Sequence, residues 1–212
     1  MKSADIVLRL LLRDRDRETI SGDLLEEYHE EVRPNRGALR ARLWYARQVM
    51  SFVSPVTWGL TIGIAAGSLQ LIDTAIEPLA DDSAGGMLVI VSTLLALWTA
   101  ASYLATRRTD RFQDAVMAGV LVGLATSAVL HFAAIVRVNV FLDQIQYRDD
   151  WTNLVARFRA SNFHSLRAYA NYEYLTGTWL LLLIGAAAGS ICGIVSGTIH
   201  KVLRTEKSVA SV

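Results

Sequence analysis

Residues 178–199 read TWLLLLIGAAAGSICGIVSGTI, 22 residues without a charge. At about 1.5 Å rise per residue, roughly 20 apolar residues cross a hydrocarbon core about 30 Å thick. Within the run Gly185, Gly189, Gly193 and Gly197 recur at every fourth position. Residues four apart share one face of a helix. A face of glycines lets a second helix approach backbone to backbone. The stretch therefore predicts a membrane-spanning helix with a close-packing face, and the rest of the chain is read around it.

The chain has 212 residues, 52% of them hydrophobic. A soluble domain is about 45–50% apolar, so the distribution decides the class and the total does not. Three further runs, 49–72, 84–106 and 115–136, carry no Asp, Glu, Lys or Arg. Ser54-Pro55 marks an elbow, because proline suits a first helical turn and disfavours helix in the residue before it. The predicted fold is an all-α membrane protein with four transmembrane helices, over about 55–72, 87–105, 115–136 and 178–199. An N-terminal cytoplasmic helical hairpin (1–35) and a basic amphipathic juxtamembrane helix (36–54) precede the bundle (55–203). The long loop 137–177 is expected to form helices lying on the outer membrane surface, and 204–212 to be a frayed tail.

Basic residues orient the chain. With both termini inside, sixteen Lys and Arg fall on the inner side and five, all within 137–177, on the outer. That predicts a multi-pass protein of a bacterial inner membrane with cytoplasmic N- and C-termini. The first apolar run starts only near residue 49, so no cleavable signal is expected. A net charge of +1 gives no general attraction for nucleic acid. The single cysteine, Cys192, excludes an intrachain disulfide and a thiolate metal cluster.

The glycine faces recur: Gly59, Gly63 and Gly67 in the first span, Gly119 and Gly123 in the third, with Ser127 continuing that face. Three such faces in one chain can satisfy each other, so internal packing is expected, with a homo-oligomer the alternative. His131 is the one histidine within a predicted span, and an intramembrane ionisable group marks a candidate site. A second axial ligand at its depth is missing, so haem is not expected. Arg137, just beyond the third span, is expected to snorkel to the outer interface. Arg40, Trp44 and Arg47 suit an interfacial helix on anionic headgroups, and Trp151 an aromatic belt. Glu26, Glu27, His29, Glu30 and Glu31 lack the paired histidines of a zinc-protease helix and read as a solvated acidic face. Asp149, Asp150 and His164 read as surface loop. No phosphate loop or nucleophile elbow is present; no cofactor, metal site or catalytic residue is expected.

Gly22-Asp23-Leu24-Leu25-Glu26-Glu27-Tyr28, followed by Arg42-Leu43-Trp44-Tyr45-Ala46-Arg47-Gln48-Val49, resembles the permease-prefix domain. In that family a GDLxEEY helix precedes a basic RxWYxRQ segment leading into a span. The resemblance covers about residues 5–50. It implies a cytoplasmic prefix on a bacterial inner-membrane protein, partnered by an ABC-type permease or a PadR-type regulator. The residues expected to meet that partner are Asp23, Glu26, Glu27, Tyr28 and Glu30. A small transporter or channel subunit, using a glycine-lined path and His131, is the alternative.

Overall fold

The computed structural model describes residues 26–32, 34, 37, 40–41, 44–45, 54–80 and 83–209. The chain divides into two compact units, Met1–Ser54 and Pro55–Val212.

The larger unit is built of helices, and no strand occurs among the described residues. They are α1 (Pro55–Ile76), α2 (Ala84–Thr109), α3 (Phe112–Ile145), α4 (Thr152–Arg159) and α5 (Leu166–Val209), with a 3-10 turn at Asp149–Trp151. Pro55 opens α1, where its fixed φ is pre-set for helix and its missing N–H is not needed. Ser83 caps α2, its hydroxyl accepting the Gly86 N–H at 3.0 Å and satisfying one orphan donor of the first turn. The same helix stops at Asp110, which takes the left-handed conformation with φ 55°. Asp tolerates that region better than most residues.

Four of these helices are long and apolar enough to cross a membrane: α1, α2, α3 and Leu166–Thr205 of α5. α3 is the central one, packed against α1, α2 and α5 alike. Its most apolar window is 39% buried, against 17% for α2, so α3 is the core helix and α2 the peripheral one. Ile62, Trp98, Ala101, Val122 and Cys192 form the bundle core. Ile64, Leu69, Leu88, Leu183 and Ile191 lie on the outside, each more than half exposed. That exterior would be costly in water and is matched to hydrocarbon. The chain is a multi-pass membrane protein.

The structure corrects the expectation for 137–177. α3 runs on through Ile145 and α5 begins at Leu166, so both helices extend past the expected ends of their spans, with only the 3-10 turn and α4 between them. Val138, Leu142, Ile145, Trp151 and Ala170 make a second core there, with Leu154 and Tyr174 packed on it. The sequence boundaries were drawn at the first charges, but a charge does not end a helix. Leu142 and Ile145 continue the inward face of Val138, and Leu166, Ala170 and Tyr174 answer it on α5. The predicted frayed tail is likewise helical through Val209.

In the smaller unit Tyr28, Val32, Ala41 and Tyr45 are buried. Tyr28 opens a π-helical turn, Tyr28–Val32, and its ring meets that of Tyr45 edge-on at 5.6 Å. Gly37 has φ +73°, a turn conformation open to glycine, and its carbonyl accepts the Ala41 N–H at 3.0 Å. Most of the predicted hairpin and basic helix lies outside the described residues, Asp23, His29's side chain and Arg47 included.

Candidate functional site

The glycine faces come together inside the bundle. A methyl placed on Gly119 would collide with the Gly189 carbonyl and stand 2.9 Å from the Gly193 nitrogen; one on Gly123 would collide with the Gly185 carbonyl. On Gly193 it would lie 2.5 Å from the Ala115 carbonyl, and on Gly197 2.6 Å from the Phe112 ring. α3 and α5 thus touch backbone to backbone along four turns. The face of α1 meets other residues. Methyls on Gly59, Gly63 and Gly67 would stand 2.6, 2.7 and 2.9 Å from Ala125, Val129 and Ala133, so α1 seats on α3 alongside α5. Every one of these faces is filled by a neighbouring helix of the same chain, and none lines an open path.

Polar links tie the helices at the same levels. Trp98 Nε1 donates to Thr126 Oγ1 (3.1 Å), and Thr126 donates to the Gly59 carbonyl (3.1 Å). One buried hydroxyl thereby joins α2, α3 and α1. Ser196 donates to the carbonyls of Thr99 (2.7 Å) and Cys192 (2.8 Å), linking α5 to α2. Side-chain pairing with backbone of another helix satisfies groups that hydrocarbon cannot.

His131 is buried on α3, and its Nε2 lies 2.8 Å from Thr178 Oγ1 on α5. The Tyr174 ring lies 6.0 Å away, tilted. His131 and Tyr174, with Leu154, Gly177, Leu180 and Ile184, line an open groove of about 400 Å³. At its polar end Glu173 accepts from the Tyr169 hydroxyl and from Arg157 (3.3 Å). The groove therefore carries a histidine and a neutralised carboxylate above an apolar floor.

His200, on α5, is distant from this groove. Thr178 and His200 are 22 residues apart on α5, about 33 Å at helical rise, so His131 and His200 cannot share one haem. His200 Nε2 lies 2.9 Å from Asp110 Oδ1, and Arg204 lies 3.2 Å from Oδ2. The bond from His200, together with the Arg204 charge, lowers the Asp110 pKa below its ordinary value. Among the described residues no group of three His, Cys, Asp or Glu side chains is placed to hold a metal. Asp150 is held by Arg148 at 3.0 Å, while His164 is exposed and bonds to neither aspartate, so no hydrolytic pair forms.

The other predicted residues divide by position. Glu26, Glu27 and Glu30 are exposed, whereas Tyr28 is buried; the tyrosine is a packing residue and its acidic neighbours present the surface. Arg40 is exposed and Trp44 half-buried. Trp151, expected at the membrane interface, is 3% exposed in the second core, which leaves almost no ring surface for headgroups. Arg137, expected to snorkel, is 7% exposed. Sequence patterns gave no sign of the Asp110 cluster, the Thr126 link or the Asn139–Asn171 amide pair (2.9 and 3.1 Å), because each depends on residues from different helices. Comparison with protein-family models, with curated proteins and with solved structures finds no match to this chain.

Proposed function

We propose that the chain is a non-enzymatic accessory or regulatory protein of a bacterial inner membrane, whose cytoplasmic prefix docks a partner. The partner class implied by the prefix motif is an ABC-type permease or a PadR-type regulator. The observation that carries the reading is the exposed acidic face Glu26, Glu27 and Glu30 beside the buried Tyr28. A carboxylate face held on an anchored unit attracts a basic surface, steering approach more than adding affinity. The bundle supports the same reading, since its glycine faces are taken up by its own helices. The bias of basic residues favours a cytoplasmic prefix.

The test is capture from native membranes. Full-length chain and a chain lacking 1–35 are crosslinked in cells and purified. A permease or regulator recovered with the first and lost with the second, with equal membrane insertion, is the expected result. The charge-reversed Glu26→Lys/Glu27→Lys/Glu30→Lys chain should behave as the truncated one. Equal recovery from all three sinks the reading. A small transporter subunit is a second reading, favoured by the His131 groove. It predicts a pH-dependent flux in proteoliposomes that disappears in His131→Ala.

A further inference from the structure

Arg137 is the one arginine of α3, and it follows directly on the 22-residue uncharged run 115–136. It is 7% exposed, and its Nε is buried without a hydrogen-bond partner. Among the described residues its guanidinium has no hydrogen bond and no ion pair. The described carboxylates at this end of the bundle pass it by. Glu173 is taken by Tyr169 and Arg157, and Asp150 by Arg148. Asp73, Glu77 and Asp143 are exposed and none of them lies within 4.0 Å of it. Its place in the bundle follows from register. Gly63 meets Val129 and Gly67 meets Ala133, so one further turn brings Arg137 level with Leu71 of α1, a turn before Thr74, which is buried with its hydroxyl spent on the Gln70 carbonyl.

An arginine does not escape its charge by losing a proton, because its pKa lies above about 12. Buried and unpaired among the described residues, it calls for an anion. Its depth says which anions are at hand. Counting from Ala115, the uncharged run spans about 33 Å, so Arg137 sits where a hydrocarbon core about 30 Å thick gives way to headgroups. The plane at that depth is the phosphate plane. A planar guanidinium with its N–H fork matches two oxygens of one phosphate.

We propose that Arg137 is a binding site for a phosphate group at the rim of the bundle on the α4 side, the phosphate being that of a membrane phospholipid. Free phosphate shares the chemistry, and the test separates the two. The phosphate completes the hydrogen bonding of the guanidinium and pins the last turns of α1 against α3. The site lies apart from the His131 groove and is independent of the partner assigned to the prefix.

The experiment uses the full chain, stripped of lipid in a maltoside detergent and a phosphate-free buffer. Thermal unfolding is followed after adding phosphatidylglycerol, a phosphate-free galactolipid, or inorganic phosphate. Phosphatidylglycerol should raise the midpoint by several degrees, the galactolipid should not, and the rise should vanish in Arg137→Gln. An Arg137-dependent rise with inorganic phosphate alone keeps the phosphate site and assigns it to the free ion. An equal rise with the galactolipid, or an equal rise in Arg137→Gln, overturns the proposal. Should Arg137→Gln fail to fold, native mass spectrometry of the unaltered chain and of Arg137→Lys decides. The unaltered chain should carry one phospholipid through detergent stripping, and Arg137→Lys, with a point charge in place of the fork, should carry less. No retained phospholipid on the unaltered chain overturns the site.

Discussion

Thr126 stands where three helices meet, and its hydroxyl is both acceptor and donor: it takes the Trp98 indole N–H and gives to the Gly59 carbonyl. Thr126→Val keeps the shape and removes both bonds, leaving Trp98 Nε1 buried without a partner. Such a loss costs about 1–2 kcal/mol, so Thr126→Val should unfold at lower denaturant than Thr126→Ser when titrated in detergent. Equal midpoints would show the link to be idle. Asp110 acts at the other end of the bundle. Its pKa is depressed, first by the bond from His200. A depressed carboxylate stabilises the fold above its unfolded value of 3.8 and loses that contribution as pH falls through the folded value. Asp110→Asn keeps a side chain that tolerates positive φ and removes the charge. The unaltered chain should therefore melt above Asp110→Asn near neutral pH, and the difference should close below about pH 4. A constant difference across that window would place the effect in the turn and not in the charge.

At the scale of the element, glycines with the same spacing in sequence have unequal neighbours. Gly119 and Gly189 face each other across α3 and α5, while Gly85 and Gly177 have no atom within 4 Å of a built methyl. Gly119→Ala forces the two backbones apart, an overpacking worth about 1–3 kcal/mol or more. Gly85→Ala and Gly177→Ala should be neutral or slightly stabilising, since alanine is the better helix former. Thermal unfolding of the four single variants, with Gly189→Ala as the reciprocal change, is the measurement. Equal tolerance at all four positions would mean that the α3–α5 approach is not tight. The period of four was legible in the sequence, because identity and spacing are local. Which helix each face meets was not, and the face of α1 meets alanine and valine methyls on α3 where a matching glycine face was available on α5. The ends of α3 and α5 are not legible either, since charges such as Arg137 and Glu173 mark where hydrocarbon ends and say nothing of where a helix stops. What continues the helices is the second core around Trp151, and that core exists only once 138–145, 151 and 166–174 are brought together.

At the scale of the whole molecule, four apolar runs were enough to indicate four helices that can cross a membrane, because length and hydropathy are properties of each run alone. The direction of crossing rests on a weaker signal, the basic residues summed over connecting segments. The structure puts two tests of that signal at opposite ends of the bundle. Tyr147 lies beyond the end of α3 and is 75% exposed; Arg108 lies in the last turn of α2, at the end where Asp110, His200 and Arg204 cluster. The chain has one cysteine, Cys192, which is buried, so Cys192→Ala gives a background free of thiols. Tyr147→Cys and Arg108→Cys in that background are then exposed to a membrane-impermeant maleimide, before and after the cells are opened. With cytoplasmic termini, Tyr147→Cys should label in intact cells and Arg108→Cys only after opening. The reverse order would invert the protein, carry the acidic prefix out of the cytoplasm, and remove the ground for a cytoplasmic partner while leaving the helix packing untouched. Labelling of both sites from one side would be incompatible with the helices themselves, since α3 carries 22 uncharged residues between those two ends.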